Sequence, residues 1–238
     1  MDANVLFTEF APAERSAPQE IAQQVEIFSK IPILSTLLDF VPDAVLILNS
    51  NRQIVFANDT ALRLLKNSEK ATVFGLRPGE ALACEHASDN PAGCGTSQAC
   101  SVCGAVKAIQ AAFEGIQDVQ ECRIVQKASG VSFDLRVYSY PWKVQNILFD
   151  VFIAVDISNE KRRSALERIF FHDILNTASG IYSISQVLED VDIREFSKFR
   201  ESVSKLSVRL IDEINSQRDL LKAENNELSV HIDTVNTR

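Results

Sequence analysis

Residues 44–57, with the sequence AVLILNSNRQIVFA, decide the fold of the first part of this chain. Two apolar runs, 44–48 and 54–57, consist of Ala, Val, Leu, Ile and Phe, and such short runs between turn signals are typical of strands. The polar residues 49–51, Asn-Ser-Asn, are typical of a turn. The segment therefore predicts a β-hairpin.

Three further segments downstream of this hairpin have the composition of β-strands. They cover residues 119–125, 131–140 and 147–157. Between the hairpin and these strands, we expect short helices at 58–65 and 105–113, separated by a loop-rich segment with many glycines and prolines. Two strands, short helices and three more strands predict an antiparallel five-stranded α+β domain.

The residues before the hairpin predict a loose leader followed by one helix. Residues 1–15 have no clear periodicity, and Ser16 is expected to cap a helix that has Pro18 in its first turn. An apolar stripe on that helix is formed by Ile21, Val25 and Phe28.

Beyond residue 157 the apolar spacing becomes helical. A first series recurs every three or four residues at Leu166, Phe170, Ile174, Thr177, Ile181, Ile184 and Leu188. After a break at 190–192, a second series has the same spacing at Phe199, Val203, Leu206, Leu210, Ile214, Gln217 and Leu221. The pattern predicts a hairpin of two long amphipathic helices. Because one hairpin buries little apolar surface, we expect two copies to pair as a dimeric four-helix bundle.

The composition argues against two classes of partner. The 32 acidic residues outnumber the 24 basic ones, and the net charge of −8 disfavours a nucleic-acid binder that relies on positive charge. The most apolar run, 147–157, is shorter than the roughly 18 residues of a membrane helix and contains two aspartates. The N-terminus lacks the basic start and apolar core of a signal peptide. We therefore expect a cytoplasmic protein without membrane insertion.

His172 is the candidate reactive residue of the long helices. Its helical position lies opposite the apolar seam, so the imidazole is expected to be exposed. Asp173 follows directly, and Asn176 lies one turn further along the same side. A carboxylate near one ring nitrogen favours the tautomer in which the other nitrogen is nucleophilic. On spacing alone, an ordinary surface histidine is the simpler interpretation.

A resemblance strengthens the reactive interpretation. Residues 171–176, FHDILN, resemble the H-box of sensor histidine kinases, and the paired helices resemble the dimerisation and phospho-acceptor domain of that family. The resemblance covers about residues 158–225. It implies that His172 is the phospho-acceptor, that Asp173 is its acid/base neighbour, and that Asn176 takes the position used to dephosphorylate the partner response regulator.

Residues 43–156 similarly resemble a PAS domain. The words Val-Pro-Asp-Ala at 41–44, Phe-Ala-Asn at 56–58 and Val-Asp-Ile-Ser at 155–158 stand where that family has its first strand, its short-helix entry and its exit into a signalling helix. The resemblance implies an input domain that senses a ligand, a redox state or a partner.

Four parts are expected on this basis. They are an N-terminal leader and helix (1–35), a PAS-like sensor domain (36–157), a phosphotransfer helical hairpin (158–226) and a start of an ATP-binding domain (227–238). Residues 227–232 resemble the first strand of the ATP-binding domain of sensor kinases, whose other boxes are absent from this sequence. We therefore expect that the isolated chain does not phosphorylate itself but accepts phosphate when that domain and ATP are supplied.

The interpretation that follows is a homodimeric sensor histidine kinase of a two-component system. Its partners would be the ATP-binding domain and the receiver domain of a response regulator. The alternative is a non-catalytic PAS dimer that senses a metal or redox state and signals through protein contacts, with an incidental His172.

A cysteine cluster lies in the loop-rich segment. Its members, spaced C-x9-C-x5-C-x2-C, are Cys84, Cys94, Cys100 and Cys103. Four thiolates suit tetrahedral zinc or an iron–sulfur cluster, and His86 could replace Cys84 as a ligand.

Two other interpretations of these cysteines stay open. They could be small buried apolar residues, or Cys100 and Cys103 could form a redox-switched dithiol. The fifth cysteine, Cys122, lies in a predicted strand and is expected in the core.

Overall fold

The structure is a computed structural model that describes residues 6–66, 69–187 and 193–224. The chain divides into two compact units, Met1–Asn159 and Glu160–Arg238. The expected start of an ATP-binding domain at 227–238 and the helix break at 190–192 lie outside the described residues.

The first unit is built on a five-stranded antiparallel sheet with the strand order β2-β1-β5-β4-β3. The strands are β1 (Ala44–Leu48), β2 (Ile54–Ala57), β3 (Asp118–Val125), β4 (Ser132–Val144) and β5 (Ile147–Asp156). The α+β fold class and all five predicted strands are confirmed, with β4 extending four residues further than predicted.

Six α-helices accompany this sheet among the described residues. They are α1 (Pro18–Ser29), α2 (Pro32–Asp39), α3 (Asp59–Leu64), α4 (Lys70–Val73), α5 (Pro78–Ala81) and α6 (Gly104–Phe113), and 3-10 turns cover Glu85–Ser88 and Gln98–Val102. Three of these helices, α2, α4 and α5, were not predicted from the sequence. Pro32 occupies the first turn of α2, where its missing N–H costs nothing.

Both faces of the sheet are covered at β1, which explains why this strand is apolar without alternation. Every residue of β1 is buried. On one face, Leu46 and Leu48 pack with Ala108 and Ile109 of α6. On the other face, α1 supplies an aromatic anchor, Phe28, whose ring centroid lies 5.0 Å from that of Phe149 and 5.6 Å from that of Trp142. The predicted stripe of Ile21, Val25 and Phe28 thus packs against the sheet.

Ser16 does not cap α1, so this prediction is wrong. Ala17 is the N-cap residue and makes no side-chain hydrogen bond. The Ser16 hydroxyl instead accepts hydrogen bonds from Nδ2 of Asn49 and Nδ2 of Asn51, and its N–H donates to Oε1 of Gln53. The residue therefore joins the N-terminal segment to the β1–β2 turn.

The prediction of a loose leader is also wrong for residues 9–14, which are bound to the cysteine-containing loop. The N–H groups of Glu9 and Ala11 donate to the carbonyls of Thr96 and Gly95, each at 2.9 Å. Ala11 is fully buried.

Arg77 organises this region from inside the protein. The side chain is fully buried. Its guanidinium donates to the carbonyl oxygens of Glu14 (2.8 Å), Ala92 (3.0 Å), Cys94 (3.1 Å) and Asn51 (3.1 Å). Burial lowers the pKa of Arg77 to about 10, so the group keeps its charge at neutral pH. One cation thus connects the leader, the β1–β2 turn and the cysteine-containing loop.

The second unit contains the greater part of α7 (Ser158–Val187) and all of α8 (Ile193–Glu224). The two helices pack closely at Gly180, where a Cβ atom would lie 3.4 Å from Cδ1 of Leu206. Most predicted seam residues of both helices are half-buried, but Leu166, Ile214 and Leu221 are exposed, and Leu188 lies outside the described residues. No helix in the described part of the chain is long and apolar enough to cross a membrane.

Replacing Arg77 by methionine should destabilise the first unit. The substitution keeps most of the side-chain volume but leaves several buried carbonyls without a donor, so we expect a loss of about 3 kcal/mol in the free energy of unfolding. Urea unfolding measures this change, and Arg63→Met on the exposed part of α3 is the matched control. A loss below about 1 kcal/mol would contradict the role given to Arg77.

Asp150 should make stability depend on pH. This β5 residue is fully buried, and its carboxylate accepts hydrogen bonds from Oγ of Ser139 (3.2 Å) and N of Tyr140 (3.1 Å). Burial raises its pKa from 3.8 to about 8, and the hydrogen bonds offset this only in part. Because the folded state holds the proton more tightly, stability should be highest below about pH 4 and fall until about pH 8.

A change of one pKa unit corresponds to about 1.36 kcal/mol, so the raised pKa of Asp150 should change the free energy of unfolding by an amount on the order of 5 kcal/mol across this pH range. Urea unfolding between pH 4 and 9 measures it. Asp150→Asn should flatten the dependence and make the protein more stable than wild type at pH 9, whereas Asp212→Asn, on the exposed side of α8, should leave the curve unchanged. An unchanged slope in Asp150→Asn would show that this carboxyl does not titrate as proposed.

Candidate functional site

A cavity of about 250 Å³ lies between α6 and the sheet in the first unit. Its apolar wall consists of Val106, Ile109, Ile124, Leu135, Val137 and Phe152. All five cysteines of the chain also line it: Cys84, Cys94, Cys100, Cys103 and Cys122. The structure thus brings the four sequence-predicted cysteines to one place and adds Cys122, which the sequence analysis had assigned to the core alone.

The outer part of this cavity is fixed by α5. A Cβ atom at Gly79 would lie 2.6 Å from Sγ of Cys94, so only glycine allows the loop to approach α5 this closely. The N–H of Cys94 donates to Oε1 of Glu80 at 3.1 Å, and Glu80 pairs with Arg15. Together with Arg77, these contacts hold Cys94 at the cavity.

The inner part is fixed by the packing of α6 on β3. Cys103 is the N-cap residue of α6 and makes no side-chain capping hydrogen bond. Its side chain lines the cavity together with that of Cys122 on β3, and it packs against the apolar cluster that contains Cys122. A Cβ atom at Gly104 would overlap the carbonyl oxygen of Glu121, so this glycine lets the helix lie directly on the strand.

Four of the thiols differ in acidity. Burial raises the pKa of Cys84, and it raises the pKa of Cys94 to about 12. The neighbouring Cys103 and burial raise the pKa of Cys122. Cys103 differs from these three, because the neighbouring thiol of Cys122 and the backbone N–H groups of Val106 and Ala105 lower its pKa to about 6.

The predicted metal site has suitable donor atoms but not a suitable grouping. Among the residues that the structure describes, no three or more His, Cys, Asp or Glu side chains are arranged to hold one metal ion. Zinc or an iron–sulfur cluster therefore stays a prediction. His86, the alternative ligand, lies at the cavity with Nδ1 2.7 Å from Oδ2 of Asp89.

All five cysteines are free thiols in the structure, so the redox-switched dithiol of Cys100 and Cys103 stays a prediction. Sγ of Cys100 lies 3.3 Å from Oγ of Ser97, and Cys103 packs against the apolar cluster that contains Cys122. Sequence spacing favoured Cys100 because it lies three residues from Cys103, but the contact across α6 and β3 depends on tertiary packing.

His172 lies in the second unit, on α7, with 71% of its side chain exposed. Its Nδ1 atom is 3.1 Å from Oδ1 of Asp173. Nδ2 of Asn176 lies 3.2 Å from each ring nitrogen. The three residues that the sequence analysis selected are thus in contact. If Asp173 accepts a hydrogen bond from Nδ1–H, the lone pair of Nε2 is left as the nucleophile.

The surroundings of His172 are apolar as well as exposed. The rings of Phe170 and Phe171 lie side by side, with centroids 5.4 Å apart. Phe171 and Leu175 are both exposed. Exposed apolar side chains beside a reactive group are typical of a surface that binds another protein.

Solved structures similar to this chain include several PAS domains. The PAS domain of nitrogen regulation protein NR(II) from Vibrio parahaemolyticus is 21% identical and covers 52% of this chain and 96% of its own, with a TM-score of 0.38. A PAS domain from a two-component sensor histidine kinase is 14% identical and covers 54% and 96%, with a TM-score of 0.34. The PAS domain of an HTR-like protein from Haloarcula marismortui is 14% identical and covers 57% and 98%, with a TM-score of 0.38.

A search of curated proteins found no match to this chain. A family model described as PAS domain matches residues 33–94, which include β1, β2 and the loop as far as Cys94. Within this segment, α5, the 3-10 turn Glu85–Ser88 and the first two cysteines contribute to the lining of the cavity. Residues 33–94 thus match the PAS domain family, and the first unit has a PAS-like fold.

Proposed function

We propose that this chain is the sensor and phospho-acceptor part of a histidine kinase of a two-component system. The observation that carries the proposal is the exposed imidazole of His172, in contact with both Asp173 and Asn176 on a long helix. In the sequence, this helix begins directly after β5 of the PAS-like unit. A signal received by that unit would change how readily His172 is phosphorylated.

The proposed phosphorylation uses the neutral ring of His172. Its Nε2 lone pair attacks the γ-phosphorus of ATP bound to a separate ATP-binding domain, the bond to the bridging oxygen breaks, and ADP leaves. The positive charge that develops on the ring is stabilised by the carboxylate of Asp173, which accepts the Nδ1–H hydrogen bond at 3.1 Å. The phosphoryl group then passes to an aspartate in the receiver domain of a response regulator.

Asn176 fits a second role in the same proposal. Its amide lies one helical turn from the imidazole, at 3.2 Å from each ring nitrogen. When a phosphorylated receiver domain occupies this surface, the amide can orient a water molecule for attack on the acyl phosphate. The same face of α7 would therefore support both transfer and removal of phosphate.

A homodimer is proposed from the apolar surface of the second unit. Large apolar side chains remain exposed on both helices, among them Ile169, Tyr182, Phe196, Val208, Ile211 and Leu220. Scattered single residues would need no explanation, but two helices with this many exposed apolar side chains favour a further packing partner. Pairing of two hairpins as a four-helix bundle would cover them.

A second candidate function is favoured by the cavity rather than by His172. Five cysteines around one apolar space suit a PAS-like protein that responds to a metal or to oxidation and signals through protein contacts alone. In that case His172 would carry no phosphate. Acid-labile phosphate on the chain separates the two candidates.

His172→Gln should abolish phosphorylation. The full chain is mixed with ATP labelled at the γ-phosphate and with an ATP-binding domain of a sensor histidine kinase. We expect acid-labile label on wild type and at least a 100-fold decrease in the variant, because glutamine offers no ring nitrogen as nucleophile. His86→Gln is the matched control and should label as wild type. Equal labelling of His172→Gln and wild type, or no label on either, would contradict the proposed function.

A further inference from the structure

We propose that Cys103 and Cys122 form a reversible redox pair that a hydroperoxide oxidises to a disulfide across the wall of the cavity. The pair differs from the dithiol that sequence spacing favoured, and it does not depend on the phosphotransfer proposed for the second unit. It rests on the positions of the two residues in the first unit.

The fold brings the segments that carry Cys103 and Cys122 together. Cys103 ends the loop at the N-terminus of α6, and Cys122 lies on β3 next to Glu121. Gly104 packs directly on the carbonyl of Glu121. Because glycine has no side chain, the first turn of α6 lies against β3 at backbone contact distance. Cys103 directly precedes Gly104 and Cys122 directly follows Glu121, and both side chains line the cavity and pack in the same apolar cluster.

The two cysteines differ in accessibility. Cys103 is half-buried, so a small oxidant can reach it, whereas Cys122 is buried. Cys103 is thus the attacking thiol, and Cys122 is the resolving thiol.

The reaction consumes one hydroperoxide. The sulfur of Cys103, as thiolate, attacks the terminal oxygen of the hydroperoxide, the O–O bond breaks, and the alcohol or water leaves after taking a proton. The resulting sulfenic acid is attacked by the thiol of Cys122, which gives up its proton, and water leaves as the S–S bond forms. The two sulfurs lose two electrons in total, and the hydroperoxide gains them.

A disulfide between Cys103 and Cys122 would alter the wall of the cavity. Both sulfurs line the cavity, one on α6 and one on the sheet. A disulfide would lock the start of α6 to β3 and replace two polar S–H groups of the wall by one apolar bridge. Oxidation would therefore change the shape and chemistry of the cavity without a bound ligand.

Tryptic mapping tests the pairing directly. Trypsin does not cut between Arg77 and Pro78, so four cysteines fall in the peptide 71–107 and Cys122 falls in the peptide 108–123. The purified full chain is treated with a small excess of hydrogen peroxide, alkylated, digested without reductant and analysed by mass spectrometry. We expect the two peptides to be joined, with fragment ions that place the bridge at Cys103, and to separate on addition of dithiothreitol.

Variants identify the roles of the two thiols. The joined peptide should persist in Cys84→Ser, Cys94→Ser and Cys100→Ser and disappear in Cys103→Ser. In Cys122→Ser, dimedone should trap sulfenic acid at Cys103, because the resolving thiol is missing. If a serine variant does not fold, the fragment ions of the wild-type peptide still locate the bridge.

The proposal is overturned by any of three results. A bridge confined to peptide 71–107 would place the redox pair elsewhere in the loop. A metal that co-purifies with the chain and protects Cys103 from alkylation would make this residue a ligand. Absence of any bridge after peroxide treatment would show that the pair does not oxidise. Each result leaves the phosphorylation test on His172 unaffected, so the two proposals fail separately.

Discussion

The close packing of Gly104 against the carbonyl of Glu121 is the contact on which the cysteine-lined cavity depends. No side chain separates the first turn of α6 from β3 at this point. The helix therefore lies on the strand at backbone distance, and Ala108 and Ile109 in its next turn reach the core formed with β1 and β5. Cys103 directly precedes Gly104 and Cys122 directly follows Glu121, and both side chains line the cavity. A larger residue would separate the helix, the strand and the two thiols together.

The opposite side of the cavity is held by hydrogen bonds rather than by apolar packing. The guanidinium of Arg77 satisfies carbonyls from the leader, from the β1–β2 turn and from the loop that carries Cys94. A buried cation without such acceptors would be costly, and the carbonyls without the cation would be unsatisfied. The loop is irregular in backbone conformation, yet this network holds it in place. The cavity thus has an apolar wall on one side and the hydrogen-bond network of Arg77 on the other.

Sequence reasoning succeeded where local pattern determines structure. The apolar run 44–48 predicts the strand that the structure contains there, and the heptad-like spacing around His172 predicts the exposed face on which its imidazole lies. It failed where the determinant is a distant contact. The leader contains no sign that Arg77, more than sixty residues away, binds its carbonyls. Ser16 is of a residue type that is common at helix N-caps, but its hydroxyl accepts hydrogen bonds from Asn49 and Asn51 instead.

The cysteines show the same limit of sequence reasoning. Their spacing indicated that Cys84, Cys94, Cys100 and Cys103 would meet, and all four line one cavity. The spacing contained no information on Cys122, because that residue joins the group only through the fold of β3 under α6. The sequence predicted a buried cysteine at position 122 of a strand, but it did not indicate which residues lie next to that cysteine.

The most direct measurement on the central contact is the effect of Gly104→Ala on stability and on the reactivity of Cys122. A Cβ atom there would overlap the carbonyl oxygen of Glu121, so we expect a loss of about 2 kcal/mol in the free energy of unfolding and faster alkylation of Cys122. The matched variant Gly180→Ala, whose Cβ would meet Leu206 at 3.4 Å, should keep or raise stability, because alanine favours the helix. Unchanged stability and unchanged Cys122 reactivity in Gly104→Ala would contradict the account of how this cavity is built.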